Sequence, residues 1–84
     1  MEIVFTEDAL KDYQWWEKKD PKKAERIRYL CKEVSINPFK GPGKPEPLKF
    51  GLQGYWSRRI DKMHRLVYEV KNHEVMVISC RYHY

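Results

Sequence analysis

The chain opens on a short apolar run, passes to helical spacing and ends on a period of two, and this order predicts its elements. Glu2 to Phe5 has the length of one short strand. Thr6 offers a side-chain oxygen to cap a helix, with Glu7 and Asp8 at the positive end of its dipole and Lys18-Lys19 near its end. Leu10, Tyr13 and Trp16 form the expected apolar stripe of that helix. Asp20-Pro21 starts a second helix, with Asp20 as cap and proline at the first helical position, where its missing N–H costs nothing. Its stripe is Ala24, Ile27, Leu30/Cys31 and Val34, and Asn37-Pro38 ends it. From Tyr55 to Ile60, alternation puts Tyr55, Ser57 and Arg59 on one face and Trp56, Arg58 and Ile60 on the other. Asp61-Lys62-Met63 is a polar turn. His64 to Val70 sends Leu66, Tyr68 and Val70 one way and Arg65, Val67 and Glu69 the other. A turn at Lys71-Asn72-His73 leads to Glu74–Tyr82, where Met76, Ile78 and Cys80 alternate with Val75, Val77, Ser79 and Arg81.

With the Leu66/Tyr68/Val70 and Met76/Ile78/Cys80 faces turned to the core, Arg59, Arg65 and Arg81 share the opposite face and His83 leaves from its edge. The expected class is α+β, in the order β-α-α-β-β-β, with an antiparallel sheet packed on an αα-hairpin. A length of 84 residues allows one domain, residues 1–84, around one modest core. Seventeen Lys and Arg against twelve Asp and Glu leave a formal charge of +5, which favours an anionic partner, either nucleic acid or an acidic protein. Cys31 and Cys80 lie far apart without a Cys-x-x-Cys pair, and both are expected as reduced thiols of a cytoplasmic protein. No run is long enough to span a membrane, and Met1 to Phe5 is too short and too polar at Glu2 for a targeting segment.

Phe39 to Gly54 holds all four glycines and three of the five prolines, so it reads as a connection with a fixed path. Lys40, Lys44 and Lys49 make it basic. Its only acid, Glu46, stands between Pro45 and Pro47, which restrict the backbone on both sides of the carboxylate. A glutamate between prolines is also an ordinary loop feature. Arginines beside an imidazole suit a phosphodiester, yet Arg58, Arg59 and Arg65 are equally expected as a solvated face paired with Asp61 or Glu69. A terminal His83 is often merely frayed. Of Trp15 and Trp16, one is expected in the core and the other free for a partner. Tyr82 is expected in the core, and Tyr84 stacked on a base. His64 and His73 sit at turns without metal-ligand spacing, so neither a metal nor another cofactor is implied.

Several short motifs then occur in order: Lys44-Pro45-Glu46-Pro47-Leu48-Lys49, Gly54-Tyr55-Trp56-Ser57-Arg58-Arg59-Ile60, His64-Arg65-Leu66-Val67-Tyr68 and Cys80-Arg81-Tyr82-His83-Tyr84. Together they resemble the Txe/YoeB branch of the RelE-like toxins of bacterial toxin–antitoxin modules. The similarity is loose over residues 1 to 35 and close from Pro38 onward. It implies a RelE-like, microbial-ribonuclease-like fold and an endoribonuclease that cuts mRNA in the ribosomal A site, neutralised by a YefM-like antitoxin. It further implies Glu46 as general base, His83 as general acid, Arg65 on the scissile phosphate, and Lys49, Arg59 and Tyr84 as supporting residues. The departures lie in the helices, at Trp15-Trp16 and Pro21, and bear on the antitoxin and ribosome more than on chemistry. Pairing with a second copy, as a homodimer, stays open.

The residues suit that chemistry on their own terms. RNA carries its own nucleophile, the 2′-hydroxyl, so a cut needs a base for its proton, an acid for the leaving 5′ oxygen, and cations for the charge on phosphorus. Arginines near His83 favour neutral imidazole, while Glu46 and a carboxylate at Tyr84 favour the charged form. Two other classes compete: a binding module whose basic sheet docks on an acidic partner or nucleic acid, and a nuclease for free RNA. A binder would tolerate loss of Glu46 and His83, and a free-RNA nuclease would cut without ribosomes.

Overall fold

A computed structural model of the chain describes all residues except 50, 52, 53, 83 and 84. Strand β1 (Glu2–Phe5) leads to helices α1 (Glu7–Lys19) and α2 (Pro21–Ile36), then to β2 (Glu46–Pro47), β3 (Tyr55–Arg59), β4 (Arg65–Lys71) and β5 (Glu74–Ser79). The sheet order is β1-β5-β4-β3-β2. The expected α+β class and αα-hairpin are present, but the sheet is mixed: β1 runs parallel to β5, and only the remaining pairs are antiparallel. A parallel partner needs a long crossover, and the two helices supply it before the chain reaches the meander.

Thr6 caps α1 as the sequence implies, its hydroxyl accepting from the Ala9 N–H at 3.1 Å. Asp20 does not cap α2 with its side chain; its carbonyl accepts from the N–H groups of Lys23 and Ala24 instead. Helix α2 buries Ala24, Ile27, Leu30 and Val34 as predicted, and α1 buries Ala9 and Trp16. Leu10, expected in the stripe, is exposed, because the buried face of α1 is centred one position earlier, on Ala9. These side chains meet Leu66, Tyr68, Val75, Val77 and Cys80 in one cluster. Full burial of each large aliphatic side chain stabilises the fold by about 1.5–3 kcal/mol.

Of the predicted core face of β5, Met76, Ile78 and Cys80, only Cys80 is buried. Tyr68 pairs with Val77 and Val67 with Ser79, so Ile78 is an extra residue in a β-bulge. Val75 and Val77 therefore face the core, Met76 faces away, and the bulge restores Cys80 to the buried side. The β4–β5 turn is tight. Asn72 and His73 both take positive φ, 53° and 61°, which a two-residue hairpin turn requires.

Arg58 gives the connection before β3 its path. The expectation of a solvated arginine fails, for Arg58 is fully buried. It lies on the core face of β3, opposite Leu66, and its guanidinium donates to the carbonyls of Asn37, Lys40 and Pro42 and to the Tyr68 hydroxyl. The Tyr68 hydroxyl in turn donates to the Pro38 carbonyl at 2.6 Å. A cation is favoured here because these carbonyls follow the negative end of α2. The fit is close: at Gly41, with φ 130°, a Cβ would stand 3.0 Å from Nη1 of Arg58. The Arg59 N–H donates to the Gly43 carbonyl at 2.7 Å, and three residues later Glu46 joins the sheet.

Candidate active face

The helices cover one side of the sheet, and the side they leave open collects the expected residues. Across the strands, Glu46 is opposite Ser57, Ser57 opposite Val67, and Val67 opposite Ser79. One row away, Arg59 is opposite Arg65. Directly opposed residues share a face, so Glu46, Arg59 and Arg65 are brought together on the open side, with Glu46 diagonal to Arg59 at about 7–8 Å. Val67 is fully buried and gives this face an apolar floor. Like charges opposed across strands are destabilising, so Arg59 and Arg65 form a pair that an anion relieves.

Arg65 is half-buried and held from beneath. Its Nη1 donates to the carbonyls of Asp61 at 2.8 Å, His64 at 3.1 Å and Lys62 at 3.3 Å. All its side-chain hydrogen bonds among the described residues leave from that one nitrogen, so the guanidinium is aimed by the turn and its remaining N–H groups bond to no other described residue. Asp61 shapes this turn by accepting from the N–H groups of Met63 at 2.9 Å and His64 at 2.6 Å. Burial would raise the Asp61 carboxyl, but those two bonds and Lys23, whose Nζ lies 3.4 Å away, hold it below its ordinary value. The pairs expected of a solvated arginine face are not found: among the described residues no ion pair joins Arg58, Arg59 or Arg65 to Asp61 or Glu69.

Lys49 is exposed two residues past β2, with no described bond tying it to the face. His83 and Tyr84 lie outside the described residues. Arg81 does not share the open face. The strand ends at Ser79, short of the expected Tyr82, and the guanidinium turns back to lie 3.7 Å over the Trp15 ring. Trp15 is therefore occupied and is not free for a partner, while Trp16 is the core member of the pair. Tyr82 is exposed, not buried, because its backbone leaves the strand at φ 64°.

One contributor was not predicted. His64 Nδ1 accepts from the Tyr82 N–H at 2.7 Å, and the Arg65 N–H donates to the Tyr82 carbonyl at 2.8 Å. The available signal was a terminal segment that needed tying down beside the Arg65 strand.

Comparison with known proteins agrees with this architecture. The family model of the YoeB-like toxin of bacterial type II toxin-antitoxin systems matches residues 5–84. Toxin YoeB of Synechocystis sp. is 51% identical over 84 residues, spanning 100% of this chain and 98% of that one. A YoeB/ParE toxin from Agrobacterium tumefaciens superimposes with a TM-score of 0.95 at 44% identity, covering 100% of both chains. A chain of the YoeB-YefM complex from Staphylococcus aureus follows at a TM-score of 0.90 and 41% identity, covering 100% of this chain and 98% of that chain. The chain belongs to the YoeB-like toxins of bacterial type II toxin-antitoxin systems.

Proposed function

We propose that this toxin is a ribosome-dependent mRNA endoribonuclease acting in the A site, and that it blocks translation by acid–base cleavage through the 2′-hydroxyl. The register that brings Glu46, Arg59 and Arg65 to one open face carries this reading. Glu46 takes the proton of the 2′-hydroxyl, and the 2′ oxygen attacks phosphorus. The bond to the 5′ oxygen breaks, and His83 gives that oxygen its proton. The products are a 2′,3′-cyclic phosphate and a free 5′-hydroxyl. Arg65 stabilises the charge that gathers on the phosphoryl oxygens, and its anchored guanidinium spends no reorganisation in doing so. Arg59 supplies a second fork to the same phosphate. Lys49 and Tyr84 support the substrate, the first by charge and the second by stacking on a base.

So small a face grips RNA poorly unaided, and the ribosome presents the scissile bond at a fixed angle. A YefM-like antitoxin, acidic and ordered on binding, covers the arginine face and silences the toxin. The test compares a defined mRNA free in EDTA with the same mRNA on 70S ribosomes in magnesium. Wild type should cut only on ribosomes, and Glu46→Gln and His83→Ala should bind ribosomes but cut about 10²–10⁴-fold more slowly, the usual cost of losing a placed acid or base. Ribosome binding by wild type with no cuts would favour a binding module instead, and equal cutting of free RNA would favour a general nuclease.

A further inference from the structure

Residues Cys80 to Tyr82 are tied back to α1 and to the turn before β4. The Cys80 N–H donates to Asp12 Oδ2 at 3.1 Å, and the indole N–H of Trp16 donates to the Cys80 carbonyl at 2.8 Å. Arg81 lies on Trp15. At Tyr82 the two backbone groups are taken by consecutive residues, the N–H by His64 Nδ1 and the carbonyl by the Arg65 N–H. Tyr82 has φ 64°, a left-handed conformation that a tyrosine adopts only when its surroundings impose it. Among the described residues, the His64 bond is the side-chain hydrogen bond made to the backbone of Tyr82. His64 is itself locked, its ring meeting Trp16 edge-on with centroids 4.7 Å apart and planes at 90°. Because Nδ1 accepts, it carries a lone pair and the ring proton sits on Nε2.

We propose that His64 is a positioning residue for the cleavage reaction: through Nδ1 it sets the backbone of Tyr82, and so the point from which the chain enters His83, in register with Arg65. This rests on the reading of His83 as the general acid. His64 touches no substrate and moves no proton. It ties Tyr82, the residue before the proposed acid, to the strand that carries Arg65.

Two substitutions separate this role from packing. His64→Ala removes the acceptor, whereas His64→Asn keeps an oxygen close to the position of Nδ1. In single-turnover cleavage of ribosome-bound mRNA, His64→Ala should lower the maximal rate by about 10- to 100-fold with half-saturation within about twofold, the loss expected of a misaimed group. His64→Asn should recover to within about threefold of wild type. In a His83→Ala background, His64→Ala should add less than about twofold, because it acts through the acid already removed. Amide exchange at Tyr82, followed by NMR on the full chain, should speed up about fivefold in His64→Ala and not in His64→Asn, the effect of one lost hydrogen bond. A full rate in His64→Ala, an Asn variant as defective as Ala, or an undiminished penalty in the His83→Ala background would overturn the proposal. If wild type cuts nothing, the ribonuclease reading fails, and the exchange measurement alone shows whether His64 holds Tyr82.

Discussion

Arg58→Met removes a buried cation while keeping most of its volume, and the outcome follows from its four partners. The guanidinium donates to the carbonyls of Asn37, Lys40 and Pro42 and to the Tyr68 hydroxyl. Hydrogen bonds from a charged donor contribute about 1.5–3 kcal/mol each. Against this, the substitution returns the cost of burying the charge, several kcal/mol. Asn37 and Lys40 are exposed residues, so water can reach their carbonyls once the arginine is gone. The Pro42 carbonyl and the Tyr68 hydroxyl sit deeper and recover less. The balance is a loss of about 2–4 kcal/mol, a large share of the roughly 4–13 kcal/mol expected for a domain of this length. Urea unfolding should show a lower midpoint with an unchanged slope. Arg58→Lys should fall between, since one ammonium cannot reach all four acceptors. Cleavage should weaken in the folded Met variant, because the path from Asn37 to Gly43 sets where Glu46 joins β3. A Met variant within about 0.5 kcal/mol of wild type would refute the reasoning, as that is the range of an ordinary surface change.

Burial pushes the Cys80 thiol up to about 12, reinforced by Asp12. Above about pH 8.5 the unfolded thiol ionises while the folded one does not, so stability should fall as pH rises toward 12, by up to about 1.4 kcal/mol per pH unit. Urea midpoints from pH 8 to 10 should drop less steeply in Cys80→Ala, and identical slopes would contradict the account. Asp61 has the opposite sign, since its lowered folded value contributes stability above the unfolded carboxylate range that is lost as pH falls through the folded value. Its Asn variant should be less stable than wild type at pH 7, and the gap should close in acid; a gap unchanged at low pH would count against the carboxylate's role. Arg65→Lys should lower the cleavage rate by about 10²–10³-fold, the usual cost of losing a placed transition-state donor, with folding intact by circular dichroism. Reversing charge at Arg59 and Arg65 should abolish antitoxin binding by calorimetry, and unaltered affinity would show that the antitoxin grips elsewhere.

The fold was legible wherever neighbouring residues decide it. Helix α2 follows from its stripe, and the core face of β4 from simple alternation. Glu46 could be found from its prolines, and its face follows once β2 pairs with β3. What escaped depends on partners distant in sequence. The bulge at Ile78 is a property of the β4–β5 pairing, and it reverses which side chains of β5 are buried. Alternation with Trp56 and Ile60 puts Arg58 on the core side, but what makes its burial tolerable is not local, because its carbonyl partners lie 16 to 21 residues earlier. Arg81 left the expected face because stacking on Trp15 competes with the sheet once the strand has ended. His64 looked like a turn residue, and its use appears only when Tyr82 returns to it.

The most direct test of acid–base cleavage replaces one atom of the substrate. An mRNA carrying a single 2′-deoxynucleotide at the mapped cut site is placed on ribosomes with the wild-type toxin, beside the all-ribose control. The control should yield a 2′,3′-cyclic phosphate and a 5′-hydroxyl, while the deoxy substrate should bind equally well and remain whole. Cleavage of the deoxy substrate at the same bond would mean that the 2′-hydroxyl is not the nucleophile, and the role given to Glu46 would fall with it.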